Sequence, residues 1–489
     1  MINSIKHFEE KSIPVFEKLE ENFFRDPTDI ASYVLGLTEE LHKVGLLMIQ
    51  ESLEAMNGML KESGKRVKDW VVEKDSQKQL LTSLGTVNYT KTLFTNKQNG
   101  EMSYLLDRIM GLEKHQRMTD DAKARILEET VQTSYRRGGE NASLLDSVSK
   151  QTVKQVIHGL EFPPMIPVFQ KKREVEYLYI DADEDHVSLQ FNKRKGDLIQ
   201  NANGQKINCV LAKLVYVYEG VEPENPKSER NRLINPHYFG RVCDGKENVA
   251  FWDEVYEYLS AIYDLDKVKA IYLNADGGAW IKTGLSRIQG LINVLDEFHL
   301  QKYMLKLTGH LMDEAEETRK DLYKLIRKGT KKEFQELVER IDNSEYTESG
   351  HKRIKEAADY ILRNWTAART RLMKRDVICG CSAEGHVSHV LSSRMSSRPM
   401  GWSRKGAGKM AELRAYYYNK GSMLELVRAQ KEPLAKAAGA QELCLSANKV
   451  VERTVERHGQ LGKYIECIRH SVSEDIRRKL FFNINIWDL

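Results

Sequence analysis

At 489 residues the chain is longer than a single hydrophobic core usually serves, so two to four domains are expected. Hydrophobic residues make up 41% and charged residues 30%, mean hydropathy is -0.53, and no stretch approaches the roughly 20 apolar residues of a membrane span. Net charge is only +4, but residues 385 to 489 hold 18 Lys and Arg against 10 Asp and Glu; the remainder is therefore net acidic, and a polyanion partner at the basic end is suggested.

The N-terminal stretch MINSIKHFEEKSIPVFEKLEENFF carries acids and bases throughout and lacks the apolar run of a secretory signal, so a cytoplasmic location is expected. Residues 1 to about 80 show apolar positions at threes and fours, as in ASYVLGLTEELHKVGLLMIQESLEAMNGML, which predicts a helical region. Between Thr86 and Tyr104 the pattern alternates around Gln98-Asn99-Gly100, which predicts a β-hairpin. Helical spacing returns at Thr119. A second helix opening at Ser149 carries Lys150, Gln151 and Lys154 outward, a helix-turn-helix pattern whose side chains suit phosphates and base edges; the same helix pairing is common in proteins that bind no DNA. Residues 81–165 are thus a candidate DNA-binding region, closed by Pro163, Pro164 and Pro167.

Residues 170–296 read as α/β. In EVEYLYI and the following DADED, Leu178, Ile180 and Ala182 share one strand face, and Tyr177, Tyr179, Asp181 and Asp183 share the other. HVSLQF and INCVLAKLVYVYEG supply two further strand-like runs of an antiparallel meander, WDEVYEYLSAIY a helix, and VKAIYLNADGGAWIK a strand ending at Asp276. Two acids on neighbouring strands can converge, and paired carboxylates suit two Mg²⁺ or Mn²⁺ ions; each acid alone reads equally as a turn-capping Asp.

Residues 297–380 are helical in pattern, as in EFQELVERI and IKEAADYILRNW, and 381–489 end in basic helices. In CSAEGHVSHVLSSRM, Ser382 is a candidate cap for a helix placing Glu384, Val387, Ser388 and Leu391 along one side, followed by Arg394 and Arg398 as candidate phosphate contacts. GWSRKGAGKM, from 401 to 410, lacks the pattern of a nucleotide-binding loop and reads as a basic loop near DNA, with Trp402 packed. The six cysteines, at 209, 243, 379, 381, 444 and 467, are too scattered for a disulfide framework, and Cys379-x-Cys381 lacks the second ligand pair that zinc needs, so reduced thiols are expected.

Taken in order, YIDADEDHV, LNADGGAWIK, LDEFHLQKY and CSAEGHVSHVLSSRMSSRPMGWS resemble the DDE transposases of bacterial insertion sequences, and more narrowly the ISLre family, formerly an uncharacterised protein family, which is similar to Mutator-type transposases. The resemblance covers nearly the whole chain. It implies an RNase H-like mixed-sheet catalytic core with a large α-helical insertion, behind a mainly helical N-terminal region. Asp181, Asp276 and Glu384 would hold two Mg²⁺ or Mn²⁺ ions, and Asp296 and His299 match a D-x-x-H motif that also reads as a capping Asp with a packed His. Asp183 shares the face of Asp181, and the residues alone leave the first ligand open between them; the resemblance favours Asp181, directly after the apolar run, with Asp183, Glu184 and Asp185 in supporting or turn roles. The implied activity is phosphodiester hydrolysis at element ends followed by strand transfer into double-stranded target DNA, by a homo-oligomer. A catalytically silent DNA-binding protein, or a nuclease on the same fold, are the alternatives.

Overall fold

In the computed structural model the described residues are 3–431, apart from 167–170, 201–203, 205, 229 and 399. The basic helices expected in 432–489 lie outside them. The described residues form two compact units: those within 1–130, 134–153 and 423–431, and those within 131–133 and 154–422.

The first unit opens with an antiparallel pair of helices, α1 (Ile13–Arg25) and α2 (Ile30–Glu62). The Asp29 side chain accepts the Ser32 N–H and caps α2, while Ser12 bonds Glu40 at 2.7 Å and Phe23 stacks on Tyr33 at 5.0 Å to hold the pair. Strands β1 (Trp70–Leu81), β2 (Thr86–Asn96) and β3 (Met102–Ser103) form an antiparallel sheet whose buried Trp70, Leu80, Val87, Tyr89 and Phe94 pack on Leu53 and Leu60 of α2. The expected hairpin is present, turning through Gln98-Asn99-Gly100 with Gly100 at φ +71°.

Helix, however, ends at Asp69 and not near residue 80. The physical reason is that Trp70-Val71-Val72 and Leu80-Leu81 pair with β2, with Leu80 opposite Val87, while the polar middle of β1 is largely exposed and imitates a helix surface in sequence. Further on come α3 (Asp120–Thr130) and α4 (Lys150–His158). In α4 Ser149 Oγ accepts the Thr152 N–H, Val153 and Ile157 are buried, and Lys150, Gln151 and Lys154 are exposed, as the pattern predicts.

The second unit is built on a five-stranded mixed sheet of β4 (Tyr177–Ser188), β5 (Cys209–Tyr218), β6 (His237–Val242), β7 (Ala270–Ala275) and β8 (Leu291–Leu295), in the order β6-β5-β4-β7-β8. β4, β5 and β6 run antiparallel, whereas β7 and β8 run parallel to β4. Leu178, Ile180, Ala182, Val215, Val217, Ile271 and Leu273 face a core completed by α5 (Glu247–Ile262) and α6 (Ala279–Arg287). The meander differs from expectation in one respect. HVS continues β4, because Asp183 to His186 pair with Leu214 to Leu211, so the third antiparallel strand is His237–Val242.

Beyond β8, the expected helical stretch contains α7 (Glu297–Thr308), α8 (Ala315–Lys328), α9 (Lys331–Asp342), α10 (Glu348–Arg363) and α11 (Trp365–Met373), with its own core of Leu300, Met304, Leu322, Ile326, Phe334, Ile354, Ile361 and Trp365. The chain returns to the sheet through α12 (Ala383–Val387) and α13 (Arg404–Tyr418). Ser403 Oγ accepts the Gly406 N–H, so SRKGAGKM opens a helix and is not the basic loop that its glycines suggest. Among the described residues no helix is long and apolar enough to cross a membrane.

Candidate active site

The acid-rich middle of β4 lies beside β5, and as far as Ala182 beside β7 as well, and alternation puts Asp181 and Asp183 on the face opposite the α5/α6 core. Asp181 is wholly buried. Its Oδ2 accepts the Tyr216 hydroxyl at 2.7 Å and the Ser382 N–H at 3.1 Å; its Oδ1 accepts Asn274 Nδ2 at 2.7 Å and the Tyr218 hydroxyl at 3.1 Å. Four donors fill the four lone-pair directions of a carboxylate. Burial pushes the Asp181 carboxyl upward, opposed by the bonds from Asn274, Tyr216, Ser382 and Tyr218. Behind it, the buried Arg371 donates to Asn274 Oδ1 at 2.7 Å, and also to the carbonyls of Leu295 and Cys379. A continuous buried chain thus runs Asp181, Asn274, Arg371. The Asp181 oxygens are thus engaged by β5, β7 and the segment before α12.

Two residues along the strand, Asp183 is partly buried and, among the described residues, accepts only the Glu184 N–H, at 2.8 Å. The register pairs Ala182 with Ala275, so Asp183, midway along β4, and Asp276, just past the end of the parallel β7, come side by side. Burial raises the Asp183 carboxyl to about 6, and the charges of Asp276 and Glu184 add to that rise, while the Glu184 N–H and the His299 charge oppose it. Glu184 points to the other face and accepts from Trp280 Nε1; Asp185 accepts from Ser396 Oγ at 2.9 Å. The acids of the DADED run therefore divide into separate tasks.

Asp276 leaves β7 into a turn braced by the helical stretch. Its Oδ1 accepts the Gly278 N–H at 2.9 Å, and its carbonyl accepts the Tyr360 hydroxyl from α10. Gly277 has φ +90°, and a Cβ there would stand 2.6 Å from Asn364 Oδ1. Gly277→Ala is expected to cost about 1–3 kcal/mol from left-handed strain and the clash, read as a lowered urea midpoint. Nearby, Asp296 caps α7 and accepts from His299, with Nδ1 to Oδ2 at 2.9 Å. That bond raises the His299 pKa against burial, with the charges of Asp296 and Asp276 adding to it. Asp296 is thus a cap, as one reading of the pair expects, and His299 lies within reach of the Asp183 and Asp276 charges.

Glu384 is exposed on the first turn of α12, two residues beyond the Ser382 N–H that Asp181 holds. The Ser382 hydroxyl does not cap the helix but meets Tyr216, at 2.8 Å. A π-helical turn, Ser388–Ser392, follows α12, and the buried Arg414 of α13 donates to the carbonyls of His389 and Val390 in that turn and to Val131 O. Arg394 is buried over the Trp402 ring at 4.9 Å and so is not placed for a phosphate, whereas Arg398 is exposed. Trp402 packs, as expected.

Among the described residues no three His, Cys, Asp or Glu side chains converge closely enough to hold a metal ion. Asp181, Asp276 and Glu384 are therefore not assembled as a trio; Asp183 and Asp276 are the acids brought together. Their chemistry fits a hard divalent cation, because adjacent carboxylates, one of them raised by burial and by its neighbour's charge, form an unfavourable pairing that a cation relieves. The residues not foreseen are Tyr216, Tyr218, Asn274, Arg371 and Arg414. Alternation in LVYVY puts Tyr216 and Tyr218 on one face, which is the available signal for two of them.

Comparison with known proteins places these features in context. The uncharacterised protein family UPF0236 matches residues 26–432. One UPF0236 protein of Caldanaerobacter subterraneus subsp. tengcongensis is 32% identical over 456 residues, spanning 93% of this chain and 91% of that protein. Another from the same organism, whose name joins eleven loci, is 32% identical over 457 residues, 94% of this chain and 90% of that protein. Among solved structures, the chain is similar to the Drosophila P element transposase strand transfer complex, at 10% identity and a TM-score of 0.20, covering 64% of this chain and 82% of that one.

Proposed function

The chain belongs to the uncharacterised family UPF0236, and on that premise we propose that it is a metal-dependent DNA transposase of a mobile element. The observation that carries the reading is the side-by-side placement of Asp183, on β4, and Asp276, at the carboxyl end of the parallel neighbour β7, two carboxylates set close enough to share a divalent cation. The mixed sheet interrupted by helices between β8 and α12 supports reading the second unit as an RNase H-like core with a helical insertion. A relative named for eleven loci in one genome is what a self-copying element leaves behind.

In this reading Asp183 and Asp276 hold Mg²⁺ or Mn²⁺, with Glu384 supplied from α12. Bound there, the ions would provide Lewis-acid stabilisation for the attacking and leaving oxygens of a phosphodiester. The protein's own part is positional. Tyr360 and Gly277 fix the Asp276 turn, Asp181 ties α12 to β4 through Ser382, and His299 offers a cationic edge to the acids. Lys150, Gln151 and Lys154 on α4, with Arg398, are exposed for contact with the DNA backbone. The reaction is hydrolysis at the element ends and attack of the freed 3′-hydroxyl on target DNA.

A second reading, DNA binding without catalysis, is favoured by one observation, that no three ligating side chains converge among the described residues. Labelled DNA bearing the element's flanking repeats separates the two. With Mn²⁺ the wild type is expected to nick and join, and Asp276→Asn to bind equally while cutting at least about 10²–10³-fold more slowly. Equal binding with no cleavage by either protein, in Mg²⁺ or Mn²⁺, would leave only the silent DNA-binding reading.

A further inference from the structure

Helix α2 carries an apolar stripe that, among the described residues, nothing in its own unit covers. Ile30, Val34, Leu37, Leu41, Val44 and Met48 follow spacings of four, three, four, three and four, the repeat of a coiled-coil seam. At about 100° per residue all six lie within roughly 40° of one line along the helix. Ile30, Val34, Leu41 and Met48 are 59, 52, 55 and 52% exposed, and Leu37 and Val44 are partly so. Two other sides of α2 are in contact with the rest of the unit. α1 lies against Gly36 and Glu40, and Leu53 and Leu60 enter the core under the sheet.

The geometry points to a second copy of this chain as the occupant, paired antiparallel through α2. A two-fold axis beside Glu39 sets Ile30 against Met48, Val34 against Val44 and Leu37 against Leu41, so the seam is self-complementary, as an isologous contact requires. No charge interrupts the seam. Glu39 and Lys43, ion-paired at 2.9 Å, lie on the far side of the helix. At roughly 60–120 Å² for a fully exposed apolar side chain, the stripe offers on the order of 300–400 Å² per copy. That is the size of patch which on monomers commonly marks an interaction site, and two copies with their flanking residues approach the ~1,000 Å² of a specific interface.

This inference does not rest on the transposase reading, since neither DNA nor metal enters it. The test is sedimentation velocity of the full chain without DNA or divalent ions, at several micromolar concentrations, for wild type, Val34→Glu/Leu41→Glu and the conservative Leu41→Met. The expected result is a dimer for wild type and Leu41→Met, and a monomer for the double Glu variant with unchanged helical circular dichroism, melting at or below wild type as loss of association requires. A wild-type monomer throughout, or a double Glu variant that stays dimeric, overturns the proposal. A double Glu variant that is monomeric but has lost helical circular dichroism also overturns it, because the stripe is then needed for the fold of a single chain.

Discussion

Asp183→Asn is expected to abolish metal-dependent DNA cleavage, by about 10²–10³-fold or more, while the metal-free protein becomes slightly more stable. The stability gain follows from the direction of the titration. The folded Asp183 carboxyl sits at about 6 against an ordinary 3.8, so the folded state favours the proton. Its contribution is fully present below pH 3.8 and is lost as pH rises through about 6, leaving an unfavourable carboxylate beside Asp276 at neutral pH. Removing that charge is expected to return on the order of 1–2 kcal/mol above pH 6 and little near pH 4, measured by urea unfolding at the two pH values. The same proton competes with a cation. Wild-type affinity for Mn²⁺ should therefore fall steeply as pH drops below about 6, approaching tenfold per unit.

Asp181→Asn should do the opposite. Each Asp181 oxygen faces one donor that cannot reverse: the Ser382 N–H on Oδ2, and on Oδ1 the Asn274 amide, whose own oxygen is held by Arg371. Either orientation of an introduced amide sets N–H against N–H in a fully buried site. A loss of about 2–4 kcal/mol is expected, seen as a lowered urea midpoint at unchanged slope. Cleavage, corrected for the folded fraction, should stay within about tenfold of wild type, which uniform loss of positioning at α12 allows. An Asp181→Asn protein as stable as wild type and catalytically dead would reverse the roles assigned to the two acids.

The contrast between these acids shows what the sequence could and could not say. Alternation placed Leu178, Ile180 and Ala182 on the core side and Asp181 and Asp183 together on the other, and the structure has them so. Which acid is spoken for depends on what stands opposite, and Tyr216, Tyr218 and Asn274 lie 35, 37 and 93 residues away. No local pattern announces a partner at that separation. The same limit explains β1, whose polar middle reads as helix until β2 is there to pair with it, and Arg394, whose charge reads as a phosphate contact until Trp402 folds beneath it. Where the signal was local it served well, as in the Asn-Gly turn after β2, the Ser149 cap and the glycine pair after Asp276. Asp276 keeps its expected place at the end of a strand, but its companion on β4 is set by parallel register.

The most direct measurement is Mn²⁺ titration at pH 7.5 followed by electron paramagnetic resonance, comparing wild type with Asp183→Asn and Asp276→Asn after folding is verified by circular dichroism. The account predicts specific Mn²⁺ binding by wild type and a loss of at least tenfold in affinity for each variant. Binding by Asp183→Asn indistinguishable from wild type, or no specific Mn²⁺ binding by any of the three, would contradict it.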